Sequence, residues 1–183
     1  MGNQVEKIST CFGKNDSETD TPGLPSVQFG LHGPECIVDG LRVNGKGSAL
    51  AGASLMQDRA YWEIKVCGKG PFAFGVARRQ VHKLPSLGYD ENSWALRSDQ
   101  FDLQNGDILG CAFDQGDVPT QLRFYHNGVY LESNTIKGIR GEVYPAVSVE
   151  DGASLEAQFD GESGFAYPPP AGFSGVMASR RLM

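Results

Sequence analysis

Hydrophobic and polar residues alternate over short runs along most of this chain, and glycine, proline and asparagine separate the runs. The clearest run covers residues 121–131 (QLRFYHNGVYL), in which Leu122 and Phe124 share one face while Arg123 faces the other way. The central Asn127-Gly128 dipeptide favours a type I′ turn, because both residues tolerate a positive φ. The pattern therefore predicts a β-hairpin here.

The same alternation predicts about ten short strands and no sustained helix. Such a series of strands with regular turns is typical of an all-β sandwich or barrel. Apart from the hairpin, the strands are predicted at residues 26–30, 36–43, 48–55, 61–67, 72–79, 93–97, 108–114, 143–149 and 155–159.

Three side-chain patterns predict where individual strands lie. In residues 61–67 the polar Glu63 and Lys65 share one face, which predicts a solvated side for that strand. Residues 72–79 carry apolar or small residues on both faces, which predicts an inner strand covered on both sides. Pro145 lacks an N–H, so it predicts an edge position or a bulge for its strand.

The charge of the chain disfavours nucleic acid as a ligand. The net charge is −6 over 183 residues, and an acidic domain lacks the basic stripe that replaces phosphate counterions. One basic cluster stands out: Arg78, Arg79, His82 and Lys83. It is interpreted as a solvated loop, with a small patch that contacts an anion or a partner as the alternative.

Cysteine spacing and hydropathy predict an intracellular, cytoplasmic protein. The four cysteines are far apart without a C-x-x-C pair, and Cys67 and Cys111 are predicted to be buried free thiols. No apolar run approaches the ~20 residues that span a bilayer. No apolar segment typical of a secretion signal follows Met1.

The polar residues 1–24 are predicted to form a flexible tail before a folded domain at 25–175, with a C-terminal tail at 176–183. Removal of Met1 would expose Gly2, the acceptor of N-myristoylation, but Glu6 stands where that pattern has Ser or Thr. Palmitate on Cys11 would supply the second signal that weak membrane association needs. The alternatives are this lipidated tail and an unmodified one.

No catalytic, metal or cofactor motif emerges from the chain. It contains no G-x-S-x-G elbow, and its three histidines lie in unrelated stretches. The aspartates at positions 99, 102, 107 and 114 fail the register of a calcium loop and are predicted to lie in solvated turns. Tyr89, between Gly88 and Asp90 in a long loop, is either an exposed interface anchor or a residue that packs its loop onto the sheet.

Seven motifs, in order, resemble the SPRY domain family over residues 25–173, closest to its small single-domain members. They are YWEIKV, FGVARR, LGYDENSWAL, GDILGCAFD, LRFYHNGVYL, VYPAVSV and LEAQFD. The resemblance implies a bent β-sandwich of two antiparallel sheets with little helix, no catalysis and no cofactor.

The resemblance also implies a protein-binding role through loops at one rim. The positions that match the family's peptide-binding loops are Tyr89 with Asp90, and Glu150 with Asp151 and Gly152. Two features depart from the family. Peptide-binding relatives often carry an aromatic residue where this chain has Asp151, and the connection at 98–105 is shorter than usual.

We therefore expect a monomeric, non-enzymatic module that recognises a neutral or basic protein or peptide segment through its rim loops. Two other classes remain open. One is a structural subunit of a large assembly that uses the broad sheet faces. The other is a sandwich that binds carbohydrate.

Overall fold

The computed structural model describes residues 26–80 and 86–178. Short 3₁₀ turns lie at Ser98–Gln100 and Glu132–Asn134. The strands are β1 (Phe29–His32), β2 (Cys36–Asp39), β3 (Arg42–Gly45), β4 (Gly47–Ala51), β5 (Arg59–Val66), β6 (Phe72–Ala77), β7 (Ser93–Arg97), β8 (Ile108–Asp114), β9 (Gln121–His126), β10 (Val129–Tyr130), β11 (Ile136–Lys137), β12 (Tyr144–Val149) and β13 (Leu155–Gln158).

These strands form two antiparallel sheets, which confirms the predicted all-β sandwich. The five-stranded sheet has the order β1-β4-β12-β6-β7. The eight-stranded sheet has the order β10-β9-β8-β5-β13-β3-β2, with β11 paired to β9. The prediction of one strand at 36–43 was wrong: a turn with Gly40 at φ +59° divides it into β2 and β3.

The core lies between the two sheets. Trp62 and Ile64 of β5 point into it and are 1% exposed. Phe74 of β6 meets Phe124 of β9 edge-on with ring centroids 5.3 Å apart, which joins the five-stranded sheet to the eight-stranded one. The alternation read from the sequence therefore selects the inward faces correctly.

Strand β6 is covered on both faces, as predicted. All six of its residues are buried, and it pairs with β12 on one side and β7 on the other. The prediction for Pro145 was wrong, because β12 is the central strand of its sheet. Its ladder with β4 begins only at Ala146, opposite Leu50. Pro145 precedes that ladder, so its missing N–H does not interrupt it.

The Asn127-Gly128 hairpin has the predicted backbone, with φ of +46° and +81°. Its side chains attach it to the turn before β8. Oδ1 of Asn127 accepts from the backbone N–H of Ile108 at 2.9 Å, and its Nδ2 donates to Asp107 at 3.1 Å. The half-buried His126 lies 2.9 Å from Oδ2 of Asp107. The end of the hairpin is thus fixed by polar contacts within the chain.

Glu63 is 3% exposed, so the predicted solvated side of its strand was wrong at this position. Its carboxyl group accepts hydrogen bonds from the backbone N–H groups of Ala166 at 2.8 Å and Tyr167 at 3.0 Å. The hydroxyl of Tyr61 donates to the same group at 3.2 Å. These bonds hold the segment after β13 against the outer face of the eight-stranded sheet.

Aromatic rings complete this cover. The Tyr61 ring meets Phe165 edge-on at a centroid distance of 4.9 Å and Tyr125 at 6.3 Å. Burial, followed by the neighbouring Glu63, raises the pKa of Tyr61 far above its ordinary value. Further along, Ser174 forms a parallel bridge with Ala60 of β5. The segment 160–178 is therefore part of the sandwich.

Two further expectations about burial were wrong. Asp114 is 4% exposed and lies 3.3 Å from Arg59 and 3.9 Å from Arg123, so it is a paired buried carboxylate. Cys67 is half-buried, whereas Cys111 is buried as predicted. Burial raises the pKa of the Cys111 thiol well above its ordinary value, which keeps that thiol protonated and unreactive.

Candidate functional site

The loop that carries Tyr89 is anchored to the outer face of the five-stranded sheet. Leu87 is fully buried and packs on the small side chains of Ala73, Ala77 and Ala146. Its backbone N–H donates to Oγ of Ser148 at 3.1 Å. Small residues on this face leave room for Leu87, and its burial fixes the loop two residues before Tyr89.

Asp90 has a structural contact inside this loop. Its Oδ1 accepts a hydrogen bond from Oγ of Ser93 at 2.6 Å. The same Oγ accepts from the backbone N–H of Gly88 at 2.8 Å, where φ is +87°. Asp90 therefore stabilises the turn that presents Tyr89.

Tyr89 is 69% exposed, and its ring is held from one side by Arg97. The Arg97 guanidinium lies 3.9 Å from the ring centroid, within cation–π range. Arg97 also donates to Asp99 from Nε at 3.3 Å and from Nη2 at 2.9 Å. That hydrogen bonding lowers the pKa of Asp99. The three side chains form a preorganised stack with the tyrosine outermost.

One atom of this stack is without a hydrogen bond. Nη1 of Arg97 is enclosed and has no acceptor among the residues that the structure describes. The guanidinium is stabilised by the Tyr89 ring and by the hydrogen bonds from Nε and Nη2 to Asp99. The arrangement ties the guanidinium to the position of the tyrosine.

Two adjoining cavities lie beside the stack. The smaller, of about 260 Å³, is lined by Tyr89, Arg97, Ser148 and Glu150 among others. The larger, of about 640 Å³, lies between the 68–71 loop and the 98–105 connection. The two share the lining residues Pro71, Phe72, Ser98 and Asp99. We call the combined cavity the rim groove.

The larger part of the rim groove has an apolar floor and polar edges. Phe101 and Leu103 line it and are partly buried against the core. The backbone N–H of Phe72 donates to Oγ of Ser98 at 2.9 Å, which ties the two walls together. Asp102 and Lys69 lie at the edges and are exposed.

The 150–153 turn supports one wall of the groove. Asp151 and Gly152 have φ of +43° and +91°, and the N–H of Ala153 donates to the carbonyl of Glu150 at 2.9 Å. A Cβ on Gly70 would lie 2.6 Å from the carbonyl oxygen of Asp151, so only glycine permits this close approach. The turn and the groove wall are therefore in direct backbone contact.

The structure brings two of the predicted site residues to one cavity. Tyr89 and Glu150 both line the smaller part of the rim groove. Asp151 and Gly152 are exposed beside it without lining it, and Asp90 is engaged inside its loop. Gly2 and Cys11 lie outside the described residues, as do His82 and Lys83.

Sequence reasoning missed the residues that complete the groove. Arg97, Asp99, Phe101 and Asp102 come from the end of β7 and the connection after it. The available signal was the end of the SWALR run, which leaves an arginine at the mouth of a loop. What the sequence does not show is that this loop end faces Tyr89.

Among residues 26–80 and 86–178, no group of three or more His, Cys, Asp or Glu side chains is placed to hold a metal ion. No helix there is long and apolar enough to cross a membrane.

The comparisons with known proteins agree on one family. The SPRY domain family model matches residues 59–162, which is more than half of the chain. The chain belongs to the SPRY domain family. SPRY domains are generally protein-interaction modules that bind protein partners.

Relatives of this SPRY protein match across most of its length. SPRY domain-containing protein 7 of Homo sapiens is 32% identical over 180 residues, covering 87% of each chain. The Gallus gallus protein of the same name is 31% identical with the same coverage. Among solved structures, the SPRY domain of human HERC1 matches with a TM-score of 0.51 and 19% identity. That match covers 70% of this chain and 96% of the HERC1 chain, and it shows a shared fold.

Proposed function

We propose that this SPRY protein is a non-enzymatic interaction module that recognises a protein segment through the rim groove. The observation that carries the proposal is the exposed Tyr89 ring, stacked on Arg97 at the mouth of the groove. Tyrosine is among the residues that dominate interface energetics, because its large ring loses little conformational freedom on binding. The salt bridge from Arg97 to Asp99 reduces that loss further.

The lining of the groove defines the chemistry of the segment. Phe101 and Leu103 offer apolar contact, whereas Asp102 and Glu150 supply carboxylates. Asp99 is already paired with Arg97, which leaves Lys69 as the remaining cation of the lining. A segment with an apolar anchor and a neutral or basic flank fits this arrangement.

The structural-subunit alternative would use the broad outer faces of the sheets. Both faces are partly covered within the chain, one by Leu87 and its loop and the other by Phe165 and Tyr167. The rim groove remains open beside these covers. This difference favours a partner at the rim over one stacked on a sheet.

The proposal is tested by comparing the proteins that full-length wild type and two variants retain from cell extract. Tyr89→Ala removes the anchor, and Asp151→Arg reverses a charge beside the groove. We expect both variants to lose at least one partner that wild type retains. A partner set unchanged in both variants would overturn the proposal.

Tyr130→Ala is the matched control for this experiment. Tyr130 is 40% exposed on the eight-stranded sheet, and its hydroxyl lies 2.6 Å from Oγ1 of Thr135. Its removal deletes an exposed tyrosine that does not line the rim groove. Equal loss of partners in Tyr89→Ala and Tyr130→Ala would indicate a general effect of removing surface aromatics.

Lipidation of Gly2 and Cys11 stays a separate prediction. One acyl chain gives only marginal membrane binding, so both modifications are needed for a stable anchor. Incorporation of azido-myristate into wild type but not into Gly2→Ala would support it. Absence of label in wild type would contradict it.

A further inference from the structure

A second cavity, of about 410 Å³, lies at the opposite end of the five-stranded sheet from the rim groove. It is lined by Arg78, Arg79, Gln80, Arg140, Glu142 and Tyr144 among others, and we call it the arginine cleft. Strand β6 begins beside the rim groove at Phe72 and ends at Ala77, next to the cleft. The two cavities are therefore separated by the length of a strand.

Arg78 and Arg140 differ from four other arginines of the described chain. Each of those four has a carboxylate within salt-bridge distance. These pairs are Arg42 with Glu156, Arg59 with Asp114 and Asp117, Arg97 with Asp99, and Arg123 with Asp114. Arg78 and Arg140 have no carboxylate within 4.0 Å among residues 26–80 and 86–178. In a chain of net charge −6, two arginines without a carboxylate partner at one cavity favour an external anion there.

Arg78 is held in position before any ligand arrives. Its guanidinium lies 5.6 Å from the ring centroid of Trp94 and stacks on it. Its Nη2 donates to the backbone carbonyl of Arg140 at 3.3 Å. A guanidinium fixed by an aromatic face and one acceptor keeps its remaining N–H groups for a bidentate partner.

Arg140 is presented by a rigid loop. Ile139 is 3% exposed and anchors the loop in the core. Gly138 and Gly141 flank the Ile139-Arg140 pair with φ of +81° and +84°, a conformation that glycine adopts at little cost. The exposed Arg140 side chain therefore projects from a fixed backbone next to Arg78.

The local charge favours an oxyanion. Among the described residues, Glu142 is the only carboxylate that lines the cleft beside Arg78 and Arg140, and it accepts a long 3.5 Å hydrogen bond from the hydroxyl of Tyr144. The negative charge of the whole chain repels extended polyanions such as nucleic acid. A short anionic group on an otherwise uncharged protein segment meets the positive cleft without that repulsion.

We propose that the arginine cleft binds an acidic side chain of a protein segment, at a surface separate from the rim groove. The recognised group is a carboxylate or a phosphate, both of which match the forked donors of arginine. Arg78, stacked on Trp94, orients the bound acidic group, and the exposed Arg140 supplies the second positive charge. A single chain would then engage partners at both ends of one sheet.

The test follows the ¹⁵N-labelled full chain by NMR during titration with short peptides. One peptide carries two glutamates between glycines, a second carries phosphotyrosine at the same place, and a third carries glutamines. We expect a saturable shift of the Trp94 indole and Arg78 Nε–H resonances with the first or second peptide. The peptide that saturates at lower concentration identifies carboxylate or phosphate as the preferred group.

Two variants separate a built site from general charge attraction. Arg140→Gln is expected to weaken binding about tenfold, because it removes one charge-assisted hydrogen bond. Arg42→Gln, the matched control, removes an exposed arginine on the other sheet and is expected to leave the affinity unchanged. The proposal is overturned if neither peptide gives a saturable shift, or if both variants weaken binding equally. Tighter binding of a single-stranded oligonucleotide, lost in Arg140→Gln, would overturn it in favour of nucleic acid.

Discussion

Two turns in this molecule have similar backbone conformations but differ in the contacts of their side chains. Asn127-Gly128 and Asp151-Gly152 both place two consecutive residues at positive φ. The first joins the paired strands β9 and β10, and the second leads from β12 of one sheet to β13 of the other. At the first turn the Asn127 side chain binds both Ile108 and Asp107. At the second turn the Asp151 side chain is exposed and makes no hydrogen bond with the rest of the described chain.

The difference distinguishes a turn that stabilises the fold from a turn that is accessible to a partner. A turn whose polar side chain is hydrogen-bonded within the chain stabilises the sandwich, and few of its polar groups can bind a partner. A turn with the same backbone whose side chain remains free is open to recognition. The Asp151 turn also lies against the 68–70 loop that walls the rim groove. On this contrast rests our proposal that a partner contacts the Asp151 turn rather than the Asn127 turn.

The largest expected effect concerns Glu63. Its carboxyl group binds the backbone N–H of Tyr167, whose ring lies against Gly128 of the Asn127 turn. Glu63→Ala would leave the N–H groups of Ala166 and Tyr167 and the hydroxyl of Tyr61 without their acceptor. We expect the free energy of unfolding to fall by about 3 kcal/mol, since buried donors without partners are destabilising. Urea denaturation followed by Trp fluorescence measures the change.

Glu156→Ala is the control for that loss. Glu156 lies on the neighbouring strand of the same sheet and forms an exposed pair with Arg42 at 2.8 Å. Exposed pairs contribute little, so a much smaller change is expected. Similar losses in the two variants would contradict the account of the 160–178 segment as an internal cover.

Replacing Gly128 and Gly152 with alanine in separate variants compares the two turns directly. Both substitutions strain the backbone at positive φ, by roughly 1–2 kcal/mol. At Gly128 the new Cβ would also lie 2.6 Å from Cδ1 of Tyr167, whereas at Gly152 nothing lies within 4 Å. We expect thermal denaturation to show Gly128→Ala more destabilised than Gly152→Ala by at least ~1 kcal/mol. Equal destabilisation would remove the structural distinction between the turns.

The smallest effect concerns Asp107, whose pKa is lowered in the fold. The N–H of Gln104 is the main cause, followed by His126 and Asn127. A lowered pKa contributes stability above the unfolded value of about 3.9 and loses it as pH falls through the folded value. Asp107→Asn should therefore be less stable than wild type at pH 7, by roughly 0.5–1 kcal/mol, and the gap should narrow as the pH falls below about 4. Denaturant titrations at pH 7 and at about pH 3 measure it, and a gap that stays constant would contradict it.

Features that depend on neighbouring residues were predicted correctly from the sequence, whereas features that depend on distant residues were not. The Asn127-Gly128 hairpin was predicted because its turn depends on two adjacent residues. Glu63 was predicted to be solvated because its acceptor role depends on backbone groups about a hundred residues later. Pro145 was misplaced for a similar reason: its tolerance depends on where the ladder with β4 starts.

The residues of the candidate site also fall into a group that was predicted and a group that was missed. Tyr89 and Glu150 were named from the family resemblance, and they share a cavity in the structure. Arg97 and Asp99 were missed, because their contact with Tyr89 joins the end of β7 to a different loop. Arg140 was missed because nothing in the sequence places it beside Arg78.

Site-specific photocrosslinking shows whether a partner segment occupies the rim groove. The photoreactive p-benzoylphenylalanine replaces Tyr89 in one full-length protein and Tyr130 in another, and both are irradiated in cells. We expect the probe at position 89 to form a discrete crosslinked protein adduct that Asp151→Arg diminishes, and the probe at position 130 not to form that adduct. The same adduct from both positions, or none from position 89, would contradict it.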